Sequence, residues 1–177
     1  LHNNSTFVSV NEKGRVDPHD IKKSITPQTT LVSVGMVNNE TGTVQDIKAI
    51  AKVIFDERQN RVKNNNSTPI YLHTDASQAV GILDISVARL GIDMITLNGA
   101  KIYGPKQTGI LYLDSSIDLK PIIAGGGQER GLRSGTENVA NIIGLGMAIE
   151  IAERKRKTEV ERLQKIRGQM IDILQGS

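Results

Sequence analysis

Ile92-Asp93-Met94-Ile95-Thr96-Leu97-Asn98-Gly99-Ala100-Lys101 passes from an apolar run into a glycine-containing turn that delivers a lysine. The first half has the length and aliphatic content of a buried strand, and Asn98-Gly99 is a turn signal. A second stretch, Ile70-Tyr71-Leu72-His73-Thr74-Asp75, follows the same plan and ends on a carboxylate. A third, Thr29 to Val37, is apolar enough to be buried and breaks at Asn38-Asn39-Glu40-Thr41-Gly42. Between these strands, Asp46 is placed to cap a helix with the apolar stripe Ile47, Ile50, Ala51, Ile54 and Phe55, and Ile85 to Leu90 forms a short helical crossover. Strands alternating with helices predict an α/β fold with a mostly parallel sheet. In such sheets ligands bind at the carboxyl ends of the strands.

Working outward, Thr6 to Val10 reads as a first strand and Asn11-Glu12-Lys13-Gly14 as a turn. Asp17-Pro18 opens a short helix through about Ser24, with Asp17 as cap and Pro18 in the first helical position. Residues 60–68 carry no packing pattern and read as an exposed polar insertion. Thr108 to Leu113 is a further strand. From Val139 to about Leu174 the pattern is helical, with Val160, Leu163, Ile166, Met170 and Ile173 or Leu174 on one stripe. Gly144 and Gly146 lie in its first half, where small residues permit close packing at a cost in helix propensity.

Composition narrows the class. A chain of 177 residues suffices for one domain with a real core. Aromatics are 3% and tryptophan is absent, so the core is aliphatic, which suits a buried parallel sheet. The net charge of +3 includes the run Arg154-Lys155-Arg156-Lys157, best read as a solvated helix face, and no nucleic-acid partner is expected. With no cysteine and only His2, His19 and His73, widely separated, no metal site is expected. No apolar stretch approaches the ~20 residues needed to span a bilayer, and no signal peptide opens the chain, so no membrane partner is expected either. The chain starts at Leu1 and runs at once into a strand-like segment, so it reads as a piece of a longer protein.

The lysine and the aspartate carry the chemistry. A lysine brought from a strand end into a tight turn can have its amine shielded from water. Desolvation favours the neutral amine, which condenses with an aldehyde to form a Schiff base. A carboxylate at the end of the neighbouring strand can hold the ring nitrogen of pyridoxal phosphate protonated, making the ring an electron sink. Each residue alone has a bland reading, as a helix cap for Asp75 and a solvated side chain for Lys101. Together they suggest a pyridoxal enzyme.

Four ordered segments extend this reading: residues 37–42, 73–81, 101–106 and the glycine-rich 125–138. In them the chain resembles the cysteine desulfurases, pyridoxal-phosphate enzymes of the class V aminotransferase group, over nearly its whole length. The resemblance implies a three-layer α/β fold of the aspartate-aminotransferase type (fold type I), of which this chain holds the central part of the large domain. Residues 1–138 would form a partial cofactor-binding domain and 139–177 a helical segment leading toward an absent small domain. It implies that Lys101 binds the cofactor covalently and moves protons in catalysis, that Asp75 pairs with the ring nitrogen, and that Asn39 and Gln78 contact the ring hydroxyl region. Asn98 is expected to donate to the phosphate. Thr136 would reach the phosphate held by the other subunit of a homodimer, although from the residues alone it also reads as a helix cap. Successive glycines from Gly125, with Arg130 and Arg133, offer N–H groups and charge to an anion.

The implied reaction converts L-cysteine to L-alanine and passes the sulfur, as a persulfide, toward iron–sulfur cluster or thiocofactor synthesis through an acceptor or scaffold protein. The expected location is the cytoplasm, with an organelle matrix such as the mitochondrial left open. Two departures stand out. Ala100 occupies the place of a phosphate-binding histidine, and the family's phosphate loop, ring-stacking histidine, catalytic cysteine and substrate-carboxylate arginine are not in this chain. His73 belongs to another motif and reads as a packed strand residue. A selenocysteine lyase of the same family and a non-catalytic homologue remain as alternatives.

Overall fold

The alternation written in the sequence becomes a single sheet. Strands β1 (Leu31–Gly35), β2 (Tyr71–Asp75), β3 (Met94–Asn98) and β4 (Gly109–Leu113) lie in the order β1-β2-β3-β4. β1 is parallel to β2, with Leu31 opposite Tyr71 and Gly35 opposite Asp75. β2 is parallel to β3, with His73 opposite Met94 and Asp75 opposite Thr96. The structure is a computed structural model and describes residues 5–176. These residues form two compact units. One comprises residues 5–79, Ile85–Leu97 and Ile110–Tyr112; the other comprises Val80–Asp84, Asn98–Gly109 and residues 113–176.

In the first unit, helix α1 (Pro18–Ser24) starts as expected, with the Asp17 carboxylate accepting from the His19 N–H and Pro18 in the first turn. Helix α2 (Ile47–Lys63) is capped by Asp46, whose Oδ1 accepts from the Ala49 N–H at 3.0 Å. Ile47, Ile50 and Ile54 are buried at three- and four-residue spacing, each such burial being worth roughly 1.5–3 kcal/mol. Phe55 does not join them. It lies one position round the helix, exposed, with the Lys52 amine 5.5 Å from its ring centre. On β2, Leu72 and Thr74 point into the core, and the Thr74 hydroxyl is satisfied by the Val34 carbonyl at 2.8 Å. Helix α3 (Val87–Leu90) is a single turn that stops at Gly91 in the left-handed region (φ 72°). Ala51 sits 3.3 Å from where a Cβ on Gly91 would lie.

Three expectations fail in this unit. β1 is not buried: among the described residues it stands at the edge of the strand order, paired with β2 alone, and its residues alternate between exposed and half-buried. Thr6 to Val10 is not a strand, because its alternating pattern finds no ladder beyond one antiparallel bridge between Val10 and Val16, and Phe7 is 94% exposed. Residues 60–68 are largely exposed, as expected, but they are not patternless. α2 continues through Lys63, and Arg61, only 4% exposed, ties the segment down. Its guanidinium donates to Glu57 (2.8 Å), to the Thr68 carbonyl (3.0 Å) and to the Thr26 carbonyl (2.9 Å). Removing one partner of such a buried pair costs on the order of 3–5 kcal/mol.

The second unit is organised by helix α4 (Val139–Gln175). Its packing surface is a stripe of small residues, Gly144, Ala148 and Ala152, at i, i+4 and i+8, with Leu145 beside it. Added Cβ atoms report how closely the backbones approach. On Gly144 one would lie 2.7 Å from Pro105, on Gly104 3.1 Å from Ala148, and on Gly81 3.2 Å from Ala152. Gly146 faces open space. The expected stripe farther along α4 has helical spacing, but Leu163, Ile166, Met170 and Ile173 are exposed. No helix among the described residues is long and apolar enough to cross a membrane.

Candidate active site

Asp75 ends β2 and is exposed. The chain turns immediately, and the Ser77 N–H donates to Asp75 Oδ1 at 2.8 Å, a side-chain turn rather than a helix cap. Burial works to raise the Asp75 pKa. The hydrogen bonds of Ser77, the nearby His73 ring and the Thr96 hydroxyl outweigh it and hold the carboxyl below the usual carboxylate range. Gln78 lies half-buried on the same turn, which closes with an Ala79 N–H to Ala76 carbonyl bond of 2.8 Å. The Met36 N–H donates to the Asp75 carbonyl at 2.8 Å, and the Ala76 N–H donates to the Thr96 carbonyl at 3.0 Å. The backbone beyond β1 is thereby laced to the Asp75 turn, and the exposed Asn39 follows three residues after Met36.

His73 sits on the same face of β2 as Asp75, two residues earlier. Its Nδ1 lies 2.8 Å from the Ser33 hydroxyl on β1. Burial pushes its pKa below the usual imidazole value against the pull of the Asp75 charge. His73 is therefore a half-buried strand residue with a cross-strand partner.

In the second unit β3 runs out at Asn98, whose side-chain oxygen accepts from the Ala100 N–H at 2.9 Å and opens a short 3-10 turn, Gly99–Ile102. Gly99 has no room for a side chain: an added Cβ would stand 2.3 Å from the Thr108 hydroxyl and 2.9 Å from Leu145. Ile102 turns inward and is buried, while Lys101 faces outward and is exposed. The expected shielding of the lysine amine is thus not supplied by this turn, because Ile102 takes the inward direction and its neighbour Lys101 points away from it.

The glycine-rich segment also departs from expectation. It is not an open cradle, because several of its N–H groups are spent within the loop. Gly127 donates to the Ser134 hydroxyl (3.4 Å), Gly131 to the Gly127 carbonyl (2.9 Å) and Gly135 to the Gln128 side chain (3.0 Å). Arg133 donates to the Ser134 carbonyl at 2.7 Å. Glu129 and Arg130 are both left-handed (φ 50° and 58°), a strained pair held by these bonds. Thr136 is exposed and lies two residues before the true cap of α4, Asn138, whose side chain accepts from the Asn141 N–H. The cap reading of Thr136 is therefore set aside.

The structure joins Asp75 and Gln78 on one turn, ties the Asn39 loop to that turn, and puts Asn98 and Lys101 on another. Thr136 stands on a separate loop. Sequence reading missed Ser77, Thr96, Ser33 and Asn38. An Asp-x-Ser turn signal could have found Ser77; Thr96 and Ser33 emerge only from strand register.

The family model described as aminotransferase class-V matches residues 3–175. The chain is 45% identical over 166 residues to the cysteine desulfurase IscS of Clostridium botulinum (strain Hall), covering 94% of this chain and 39% of that protein. It is similar in structure to a NifS-like protein (TM-score 0.86, 33% identity, 97% of this chain and 44% of that one). It is also similar to SspA in complex with cysteine (TM-score 0.73, 41% identity, 82% of this chain and 39% of that one). The chain spans about two fifths of the length of the curated relatives it matches.

Proposed function

The chain belongs to the class-V aminotransferase family, and on that premise we propose that it is the cofactor-binding part of a pyridoxal-phosphate-dependent cysteine desulfurase. The observation that carries the reading is the Asp75 carboxylate, held anionic at a strand end. An anion so maintained fits a protonated pyridine nitrogen. Bound there, the cofactor supplies an electron sink for charge developing at the substrate α-carbon.

The remaining roles belong to this chain's own residues. Asp75 keeps the proton on the ring nitrogen, because an ionised partner raises that nitrogen's basicity. Lys101, exposed on its turn, offers Nζ first as the covalent anchor and then as the base that takes the α-carbon proton of cysteine and returns it. Asn39 and Gln78 donate amide N–H groups to the ring hydroxyl without adding charge. Asn98 and Thr136 donate to phosphate, Thr136 from the second subunit of a dimer. The sulfur leaves cysteine for a thiolate, giving L-alanine and a persulfide. This chain has no cysteine, so that thiolate lies outside it, and an acceptor protein then takes the sulfur. The three relatives and neighbours described above, one of them in complex with cysteine, support the substrate class.

Borohydride reduction of the intact protein with pyridoxal phosphate, followed by peptide mapping, tests the reading. A single pyridoxyl-labelled peptide containing Lys101 is expected. Labelling elsewhere, or none, overturns it.

A further inference from the structure

Asn38 precedes the residue read as a cofactor contact and does more bonding than Asn39 does. Its side-chain oxygen accepts from the Glu40 N–H (2.9 Å), the Thr41 N–H (2.9 Å) and the Thr41 hydroxyl (3.1 Å). Its backbone closes the same loop: the Asn38 N–H donates to the Thr43 carbonyl (2.9 Å), and its carbonyl accepts from the Gly42 N–H (3.0 Å). Gly42 stands at φ 70°, which a glycine adopts without strain. Asn39 is thus one of the few residues inside a ring whose closing bonds nearly all converge on Asn38.

The ring is also clamped from outside. The Thr43 hydroxyl donates to the Lys13 carbonyl (2.9 Å), Gln45 Nε2 donates to the Gly14 carbonyl (2.7 Å), and Gln45 Oε1 accepts from the Val16 N–H (2.9 Å). Gly14, at φ 71°, leaves room for this contact, since an added Cβ would lie 3.1 Å from the Thr43 hydroxyl. On the other side, the Met36 N–H reaches the Asp75 carbonyl. A loop held this firmly at its base and closed chiefly through Asn38, with the Thr41 hydroxyl donating to the Thr43 hydroxyl at 3.0 Å beside it, can aim the amide at its tip.

We propose that Asn38 is a positioning residue for Asn39, a role that rests on the reading of Asn39 as a cofactor contact. The side chain acts as an acceptor through its oxygen, so an aspartate replaces it and an alanine does not. Alanine releases two backbone N–H groups, and the turn loses the geometry that presents Asn39.

The test is the affinity of the intact protein for pyridoxal phosphate, read by absorbance titration, in Asn38→Ala, Asn38→Asp, Asn39→Ala and the Asn38→Ala/Asn39→Ala double variant. Asn38→Ala is expected to raise Kd about tenfold, the size of one lost polar contact, and Asn38→Asp to recover binding to within about threefold. The double variant should bind no more weakly than Asn39→Ala, because an aimed group that is gone cannot be misaimed. A merely structural role gives additive losses instead, and that outcome overturns the proposal. Asn38→Ala binding normally while Asn39→Ala loses affinity overturns the proposal and leaves the cofactor reading standing. Unchanged affinity in Asn39→Ala overturns the role of Asn39 and the proposal together. Should Asn38→Ala not fold, Asn38→Asp decides: affinity as poor as that of Asn39→Ala overturns the proposal.

Discussion

Asp75 shows how one residue's charge is set by neighbours that have no chemistry of their own. Its folded pKa is depressed, so its contribution to stability is complete above the unfolded value of about 3.9 and is lost as pH falls through the lower folded value. Ser77→Ala deletes the side-chain hydrogen bond and keeps the backbone N–H contact. The Asp75 pKa should then rise part of the way back, moving the acid loss to higher pH. Titration of the carboxyl carbon by NMR in the two proteins checks the direction, and an unmoved pKa would remove Ser77 from the account. Ser77 was legible as a turn residue two positions after an aspartate. Thr96 was not, because the register that sets it opposite Asp75 is a property of strand pairing across an intervening crossover.

At the scale of elements, the sequence identified α4 and pointed to Gly144 as a place of close packing, but the large residues farther along the same helix face stay mostly exposed. Periodicity drew attention to the large residues Val160 to Leu174, whereas the helix packs through Gly144, Ala148 and Ala152. Hydrophobic weight signals burial only when something lies opposite. Small residues signal close approach, which hydropathy does not register. The two glycines separate the effects. Gly144→Ala meets Pro105 at 2.7 Å and should destabilise by about 1–3 kcal/mol, while Gly146→Ala meets nothing and should stabilise by about 0.5–1 kcal/mol through helix propensity. Urea unfolding of the two variants checks the opposite signs. The same limit explains residues 60–68: a buried arginine gives no apolar pattern, so Arg61 reads as surface until its carbonyl partners are known.

For the whole molecule, the strand–helix alternation and the strand-end placement of Asn39, Asp75 and Lys101 could be read from the sequence, because turn chemistry and apolar runs are local signals. The outward direction of Lys101 could not, since it depends on which neighbour the 3-10 turn buries. A chain with no cysteine has no thiolate to receive sulfur. Mixed with pyridoxal phosphate and L-cysteine, the 177-residue chain alone should release no sulfide above the cofactor-only control; steady release would contradict the assigned sulfur path. The 37 residues of α4 extend roughly 55 Å at 1.5 Å per residue, yet its buried side chain, Leu145, lies near the amino-terminal end. Hydrogen-bonded backbone without tertiary cover opens cheaply. The distal turns of this rod should therefore take up deuterium, and yield to trypsin at their lysines and arginines, well before the sheet does.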